Sequence, residues 1–222
     1  MNFNFRAVLL MLACVLTAFP AWAEKPNVLF ISVDDLNDFT GYAGHPEVIT
    51  PNMDRLAARG TWFSRAYCQY PVCGPSRASL MTGLYYHQLD SPKLQVKDSY
   101  AKEKAESIGS KLLHDYMKGH GYKTMAVGKI LHRHLPKESL DMSGGRGPWD
   151  HNRGPDGKQV ESNWKTSTTL TDWGVYNGEE HEMSDSKAAK WAVARLEETH
   201  DKPFMLMVGF LRPHVPLSLI HI

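Results

Sequence analysis

Three short apolar runs mark out the chain: Asn27 to Val33 (NVLFISV), Tyr122 to Val127 (YKTMAV) and Pro203 to Phe210 (PFMLMVGF). Runs this short, apolar at most positions rather than strictly alternating, predict strands buried on both faces of a parallel sheet. Between them the period lengthens. Thr50-Pro51 opens a helix that runs to Arg59 and stops at Gly60, with proline in the first turn and glycine just past the last. A second helix is expected over Ile108 to Lys118, with Leu112, Leu113 and Tyr116 on one side and Gly119 and Gly121 ending it. Another is expected to run through Glu198, capped by Ser184 or Asp185, with Ala188, Trp191, Ala192 and Leu196 as its buried stripe. Residues 134 to 181 are rich in Gly, Pro, Asp, Asn and Trp without a period and read as a long folded loop region. Alternating strands and helices predict an α/β fold, a mainly parallel sheet flanked by helices.

The first residues read as a leader. Arg6 is the positive start, Ala7 to Phe19 the apolar segment, and Ala21-Trp22-Ala23 the cleavage site. That segment is short of the roughly 20 residues that span a bilayer. Residues 1–23 are therefore expected to be a signal peptide. The mature protein is expected to be exported, periplasmic or secreted, with no membrane span once the signal is cleaved. A lipoprotein signal through Leu12-Ala13-Cys14 and an uncleaved anchor are the alternatives.

Charge then narrows the partners. Lys plus Arg number 25 and Asp plus Glu 24, a formal net charge of +1 over 222 residues. That balance offers no basic face for nucleic acid and no polybasic membrane anchor. The chemistry must lie in local constellations.

One surrounds a cysteine. With Cys14 in the leader, Cys68 and Cys73 remain; their spacing permits a small disulfide loop but is not the C-x-x-C of a redox pair. Around Cys73 the sequence is Pro71-Val72-Cys73-Gly74-Pro75-Ser76-Arg77-Ala78-Ser79-Leu80-Met81-Thr82-Gly83. Pro75 suits the first turn of a helix that Ser76 to Thr82 continue. Cys73 then lies near a helix N-terminus, where backbone N–H groups favour an anion, and Arg77 adds a positive charge one turn on.

Others follow the strands. Asp34-Asp35 comes after the first, Gly128-Lys129 after the second and Arg212-Pro213-His214 after the third. All are placed past the carboxyl ends of predicted parallel strands, where open α/β sheets bind ligands. Each also has a plain reading: Asp34-Asp35 a solvated turn, Lys129 a surface lysine, His214 a loop histidine, Cys73 a buried thiol. The functional readings are hard-cation ligation by adjacent carboxylates, an anion clamp from Lys129, and His132 on the same side three residues on.

The ordered motifs resemble the type I, formylglycine-dependent sulfatases. Cys73 to Arg77 followed by Leu80-Met81-Thr82-Gly83 is similar to that family's C-x-P-S-R and L-x-T-G; Asn27 to Asp35 resembles its opening strand and metal-binding aspartates; Thr50-Pro51-Asn52-Met53-Asp54-Arg55-Leu56-Ala57 resembles its T-P-N-x-D-x-L-A helix. Gly128-Lys129-Ile130-Leu131-His132 and Arg212-Pro213-His214-Val215-Pro216 are similar to the iduronate-2-sulfatase branch.

The resemblance implies an alkaline-phosphatase-like α/β fold and hydrolysis of sulfate esters. It implies that Cys73 is oxidised to formylglycine by a formylglycine-generating or anaerobic sulfatase-maturing enzyme. Asp34, Asp35 and the modified Cys73 would hold one divalent cation, Ca²⁺. Arg77 would fix the nucleophile and the carboxylates, Lys129 and His214 would bind sulfate oxygens, and His132 would orient or deprotonate a hydroxyl of the hydrated aldehyde. A sulfated polysaccharide or glycosaminoglycan is the implied substrate, with Trp149, Trp164 and Trp173 as stacking surfaces for sugars.

Family members are longer, and their second half carries further metal ligands and a sulfate-binding lysine. Residues 24–222 are accordingly expected to be the N-terminal part of a catalytic domain, truncated near Leu217 to Ile222, and to bind metal weakly and hydrolyse little alone. Two other readings are a phosphodiesterase or phosphonate hydrolase of the same superfamily and a non-catalytic sulfated-glycan binding protein.

Overall fold

The structure, a computed structural model, describes residues 25–89, 98–147, 173–176, 178–215 and 217–219. In chain order it forms β1 (Val28–Val33), α1 (Pro51–Arg59), α2 (Cys73–Thr82), α3 (Asp98–Ser107), α4 (Leu113–Gly119), β2 (Lys123–Gly128), β3 (Met142–Gly145), β4 (Trp173–Val175), α5 (Ser184–Leu196), β5 (Phe204–Phe210) and β6 (Leu217–Leu219). The expected leader, Trp149 and Trp164 lie outside the described residues. No helix among the described residues is long and apolar enough to cross a membrane.

The main sheet has the order β1-β5-β2-β3, and every pairing in it is parallel. This is the expected α/β architecture. β5 lies between β1 and β2, with Val28 opposite Met205 and Lys123 opposite Phe204. Its alternation divides the core. Met205 and Met207 face a cluster with Met81, Leu112, Ala126, Ile130 and Leu131; Phe204, Leu206 and Val208 face Met125, Val127 and the Ala188 and Ala192 of α5. Burying such aliphatic side chains stabilises by roughly 1.5–3 kcal/mol each, so β5 is the strand on which both layers depend.

Several expectations are corrected. β1 is not buried on both faces: it is an edge strand of this sheet. Val28 and Phe30 pack against the core, while Leu29 and Ile31 are 46% and 48% exposed, because α5 packs over β5 and β2 instead. The helix expected over Ile108 to Lys118 starts at Leu113. The residues before it close the unanticipated α3, where the Ile108, Gly109 and Ser110 amides bond back to Ala105 and Glu106 and Gly109 adopts a φ of 75°. Tyr116, expected on one side with Leu112 and Leu113, is 52% exposed, and His114 is the fully buried residue of α4.

No side chain caps α5, which follows Met183; the Asp185 carboxylate is drawn away to the loop after β5. Of its expected stripe Ala188 and Ala192 are buried, but Trp191 is only half-buried and Leu196 is exposed. The region read as loop over 134 to 181 contributes β3, whose Met-Ser-Gly-Gly sequence carries no apolar run and pairs with β2 through a register shift. β4 and β6 form a separate two-stranded parallel sheet.

Candidate active site

The site grows from the carboxyl ends of β1, β2 and β5. The sheet ladder continues past them: the Asp34 amide donates to the Phe210 carbonyl at 3.1 Å and the Lys129 amide to the Gly209 carbonyl at 2.8 Å. Two glycines permit this closeness. A Cβ on Gly128, whose φ is 81°, would lie 2.0 Å from the Gly209 carbonyl oxygen, and a Cβ on Gly209 would lie 2.0 Å from that of Lys129. Any side chain at either position would push the strand ends apart.

Asp34 and Lys129, brought beside one another in this way, form a buried ion pair through Asp34 Oδ2; their side chains are 4% and 0% exposed. Arg77, from the middle of α2, completes the arrangement. Its Nη2 donates to Asp34 Oδ1 at 3.1 Å, and its Nη1 donates to the Ser32 hydroxyl at 3.2 Å and to the Lys129 and Ile130 carbonyls. Burial pushes the Asp34 carboxyl upward, but Arg77 and Lys129 outweigh it and hold the group below its ordinary 3.8. Two cations against one carboxylate leave the trio net positive, a field that favours an anion.

Cys73 is the first residue of α2, with Val72 preceding it in extended conformation. Its Sγ lies 3.4 Å from His132 Nδ1. Cys68 and Cys73 are both free thiols, and Cys68 is exposed. Burial and then Lys129 push the His132 imidazole below its ordinary 6.5, against the opposing pull of Asp98. The ring is therefore neutral at pH 7 and able to accept a proton.

Asp35 has a φ of 59° and turns out of the pair with Asp34. Its half-exposed carboxylate lies 3.8 Å from His214 Nε2, and His214 Nδ1 is held by the Val215 carbonyl. Both Asp34 oxygens face cations, and among the described residues no three His, Cys, Asp or Glu side chains group to hold a metal. Asp34, Asp35 and Cys73 thus do not compose a cation site by themselves.

Four polar residues complete the frame; none was expected in the site, and only Asp185 was named at all, as a helix cap. Ser32 interrupts the apolar run of β1, which was a visible signal. His134 bridges the Gly128 carbonyl at 2.7 Å and the Ser143 hydroxyl at 3.0 Å, linking the ends of β2 and β3; its place two residues after His132 was its only mark. Asp98 accepts the amides of His132 and Arg133, and Asp185 those of Leu211 and Arg212. Both lie in the first turns of helices, where acidic residues are favoured, but nothing local announces their distant partners.

The family model described as Sulfatase matches residues 26–220. A sulfatase of Formosa agariphila is 38% identical over 208 residues, which are 87% of this chain and 40% of that protein. Human iduronate 2-sulfatase is 33% identical over 209 residues, 86% of this chain and 35% of its own length. The chain thus spans two fifths or less of these relatives. Among solved structures, Ps i-CgsB in complex with k-i-k-neocarrahexaose is 26% identical with a TM-score of 0.59, covering 87% of this chain and 46% of that one. The phosphonate monoester hydrolase of Agrobacterium radiobacter, 20% identical, shares the fold with a TM-score of 0.60 over 88% of this chain and 42% of its own.

Proposed function

This chain belongs to the sulfatase family, and from that premise we propose that it acts in hydrolysing sulfate esters of a polysaccharide or glycosaminoglycan through a formylglycine made from Cys73. The observation that carries the reading is the contact of Cys73 with His132 at the start of α2, one turn before an Arg77 locked into the strand ends. A nucleophile at that position meets a helix N-terminus, a neutral ring able to take a proton, and a positive field.

The matured residue supplies the attacking oxygen and a second hydroxyl whose deprotonation releases sulfate. Arg77 keeps α2 in register with the strand ends by donating to groups of β1, of Asp34 just past it and of the segment after β2. The net charge of Arg77 and Lys129 over Asp34 favours a sulfate group beside them. His132 holds or moves the proton at the oxygen that replaces Sγ. His214 faces Asp35 and lends a second donor from the β5 loop. A family cation, Ca²⁺ by resemblance, needs ligands beyond the described residues, so no step here is routed through it.

A saccharide substrate is supported by the solved relative holding k-i-k-neocarrahexaose and by the names of the iduronate and N-acetylgalactosamine sulfatases among the similar proteins. The expected export of the protein suits a polymeric substrate met outside the cytoplasm. The test begins with the tryptic peptide that carries Cys73, from protein made in its native host. A loss of about 18 Da from the thiol form marks the aldehyde. Matured protein, in the full length its native host makes, should then release sulfate from sulfated oligosaccharides, and such protein releasing none would end the reading.

A further inference from the structure

The loop that carries His132 has no secondary structure of its own, and a carboxylate from elsewhere holds it. Asp98, the first residue of α3, accepts the His132 amide on Oδ1 at 3.1 Å and the Arg133 amide on Oδ2 at 3.0 Å. Consecutive amides bound one to each oxygen make a two-point clamp, and ionised acceptors give the stronger class of hydrogen bond. α3 is itself anchored on α2: its Ala101 is fully buried in a cluster with Ala78 of α2 and Leu89. Small residues at that contact let the two helices approach closely. α3 therefore spans from the helix that bears Cys73 to the loop that bears His132. The imidazole rests over the start of α2, where a Cβ built on Gly74 would lie 3.6 Å from its Nδ1.

We propose that Asp98 is the positioning residue of this site, its carboxylate setting the distance between the His132 ring and the side chain at Cys73. What His132 does in turnover rests on the sulfate-ester reading; its placement by Asp98 does not.

The test uses unmatured protein, in which Cys73 is a thiol and exposed Cys68 an internal reference. Iodoacetamide alkylation of each is followed residue by residue by tandem mass spectrometry in wild type, D98N, D98A, H132Q and the D98A/H132Q double variant. D98A and H132Q are each expected to slow Cys73 at least threefold with Cys68 unchanged. The double variant should be no slower than H132Q, and D98N, keeping one acceptor oxygen, should fall between wild type and D98A. Wild-type Cys73 reactivity in D98A would overturn the proposal. So would a further slowing in the double variant equal to that of D98A alone.

Should D98A fail to fold, D98N decides by amide hydrogen exchange at His132 and Arg133. At least tenfold faster exchange is expected at one of the two amides, the one that loses its acceptor oxygen, and unchanged exchange at both overturns the proposal. Absence of sulfate release by matured wild-type protein would refute the sulfatase reading while leaving both of these rates readable.

Discussion

Lys129 and Asp34 form a fully buried ion pair that ties the carboxyl end of β2 to that of β1, with β5 passing between the two strands. Taking two charges out of water is costly; Arg77 adds a second cation on the carboxylate, and the backbone amides of Asp34 and Lys129, both bonded into β5, fix where the two side chains start. The pair locks three strands at the level where the candidate chemistry sits.

Breaking that pair should be expensive. K129M removes one of the two cations on the buried Asp34, leaves it paired with Arg77, and is expected to destabilise by about 1–3 kcal/mol, read from urea unfolding at pH 7. D34N should cost a similar amount, and the D34N/K129M double variant less than the sum by at least about 1 kcal/mol. Because the folded Asp34 carboxyl titrates below its ordinary 3.8, its stabilisation is present above that pH and is lost as pH falls through the lower folded value. Additive single effects would show that the two groups do not act as a pair.

His114 supplies a second pH dependence, in a different window. Burial pushes its pKa down from 6.5 to about 4 despite the pull of Asp115, and its Nε2 meets the Ser139 hydroxyl at 3.0 Å. As pH falls below 6.5 the unfolded chain takes up a proton that the fold refuses. Stability must then fall with pH down to about 4 and level off there. Between pH 7 and pH 5 the loss from this residue is about 2 kcal/mol. H114Q should shrink the pH 7-to-5 stability difference by that amount in paired denaturant titrations; an unchanged difference would place the titration elsewhere.

Two substitutions separate what the apolar pattern revealed from what it concealed. Leu206 is fully buried at the centre of β5, whereas Ile31 is 48% exposed on β1. L206A should cost about 2–5 kcal/mol, and I31A under about 1 kcal/mol. Calorimetric melting of the two variants gives the comparison, and equal losses would mean that the open face of β1 is covered in solution.

The same contrast explains how far the sequence could be read. β2 and β5 were legible because a strand covered on both faces must be apolar at nearly every position. β1 has the same composition yet lies at an edge, since an apolar run records an affinity for cover and not the cover itself. β3 was invisible because Met-Ser-Gly-Gly pairs through its backbone, and backbone hydrogen bonds leave no trace in side-chain pattern. In the site, Asp34, Lys129, His132 and His214 were placed at the strand ends by counting from each run. That Lys129 is wholly buried against Asp34 was not legible, because it depends on the register of β1 and β2 on β5. Asp98 and Asp185 escaped for a related reason: they serve amides 34 and 26 residues away, and acceptors of backbone N–H groups need no complementary residue type.

Arg77 provides the sharpest test of the frame. One guanidinium planar group serves a carboxylate, a hydroxyl and two main-chain carbonyls drawn from β1 and from the segment after β2. Lysine keeps the charge but offers a single nitrogen on a flexible stem, which cannot satisfy four acceptors in that geometry. R77K would therefore leave buried acceptors unmet, at roughly 1–3 kcal/mol for each one lost. A net destabilisation of about 2–4 kcal/mol is expected, seen as a lower urea midpoint with unchanged slope. Since Cys73 begins the helix on which Arg77 sits, the same change should free the start of α2, raising amide exchange over residues 73–77 while α5 on the far side of the sheet keeps wild-type protection. If R77K matched wild type in both measurements, a conserved charge would be all the site requires at this position, and the hydrogen bonds to Ser32, Lys129 and Ile130 would carry no weight in holding α2 to the sheet.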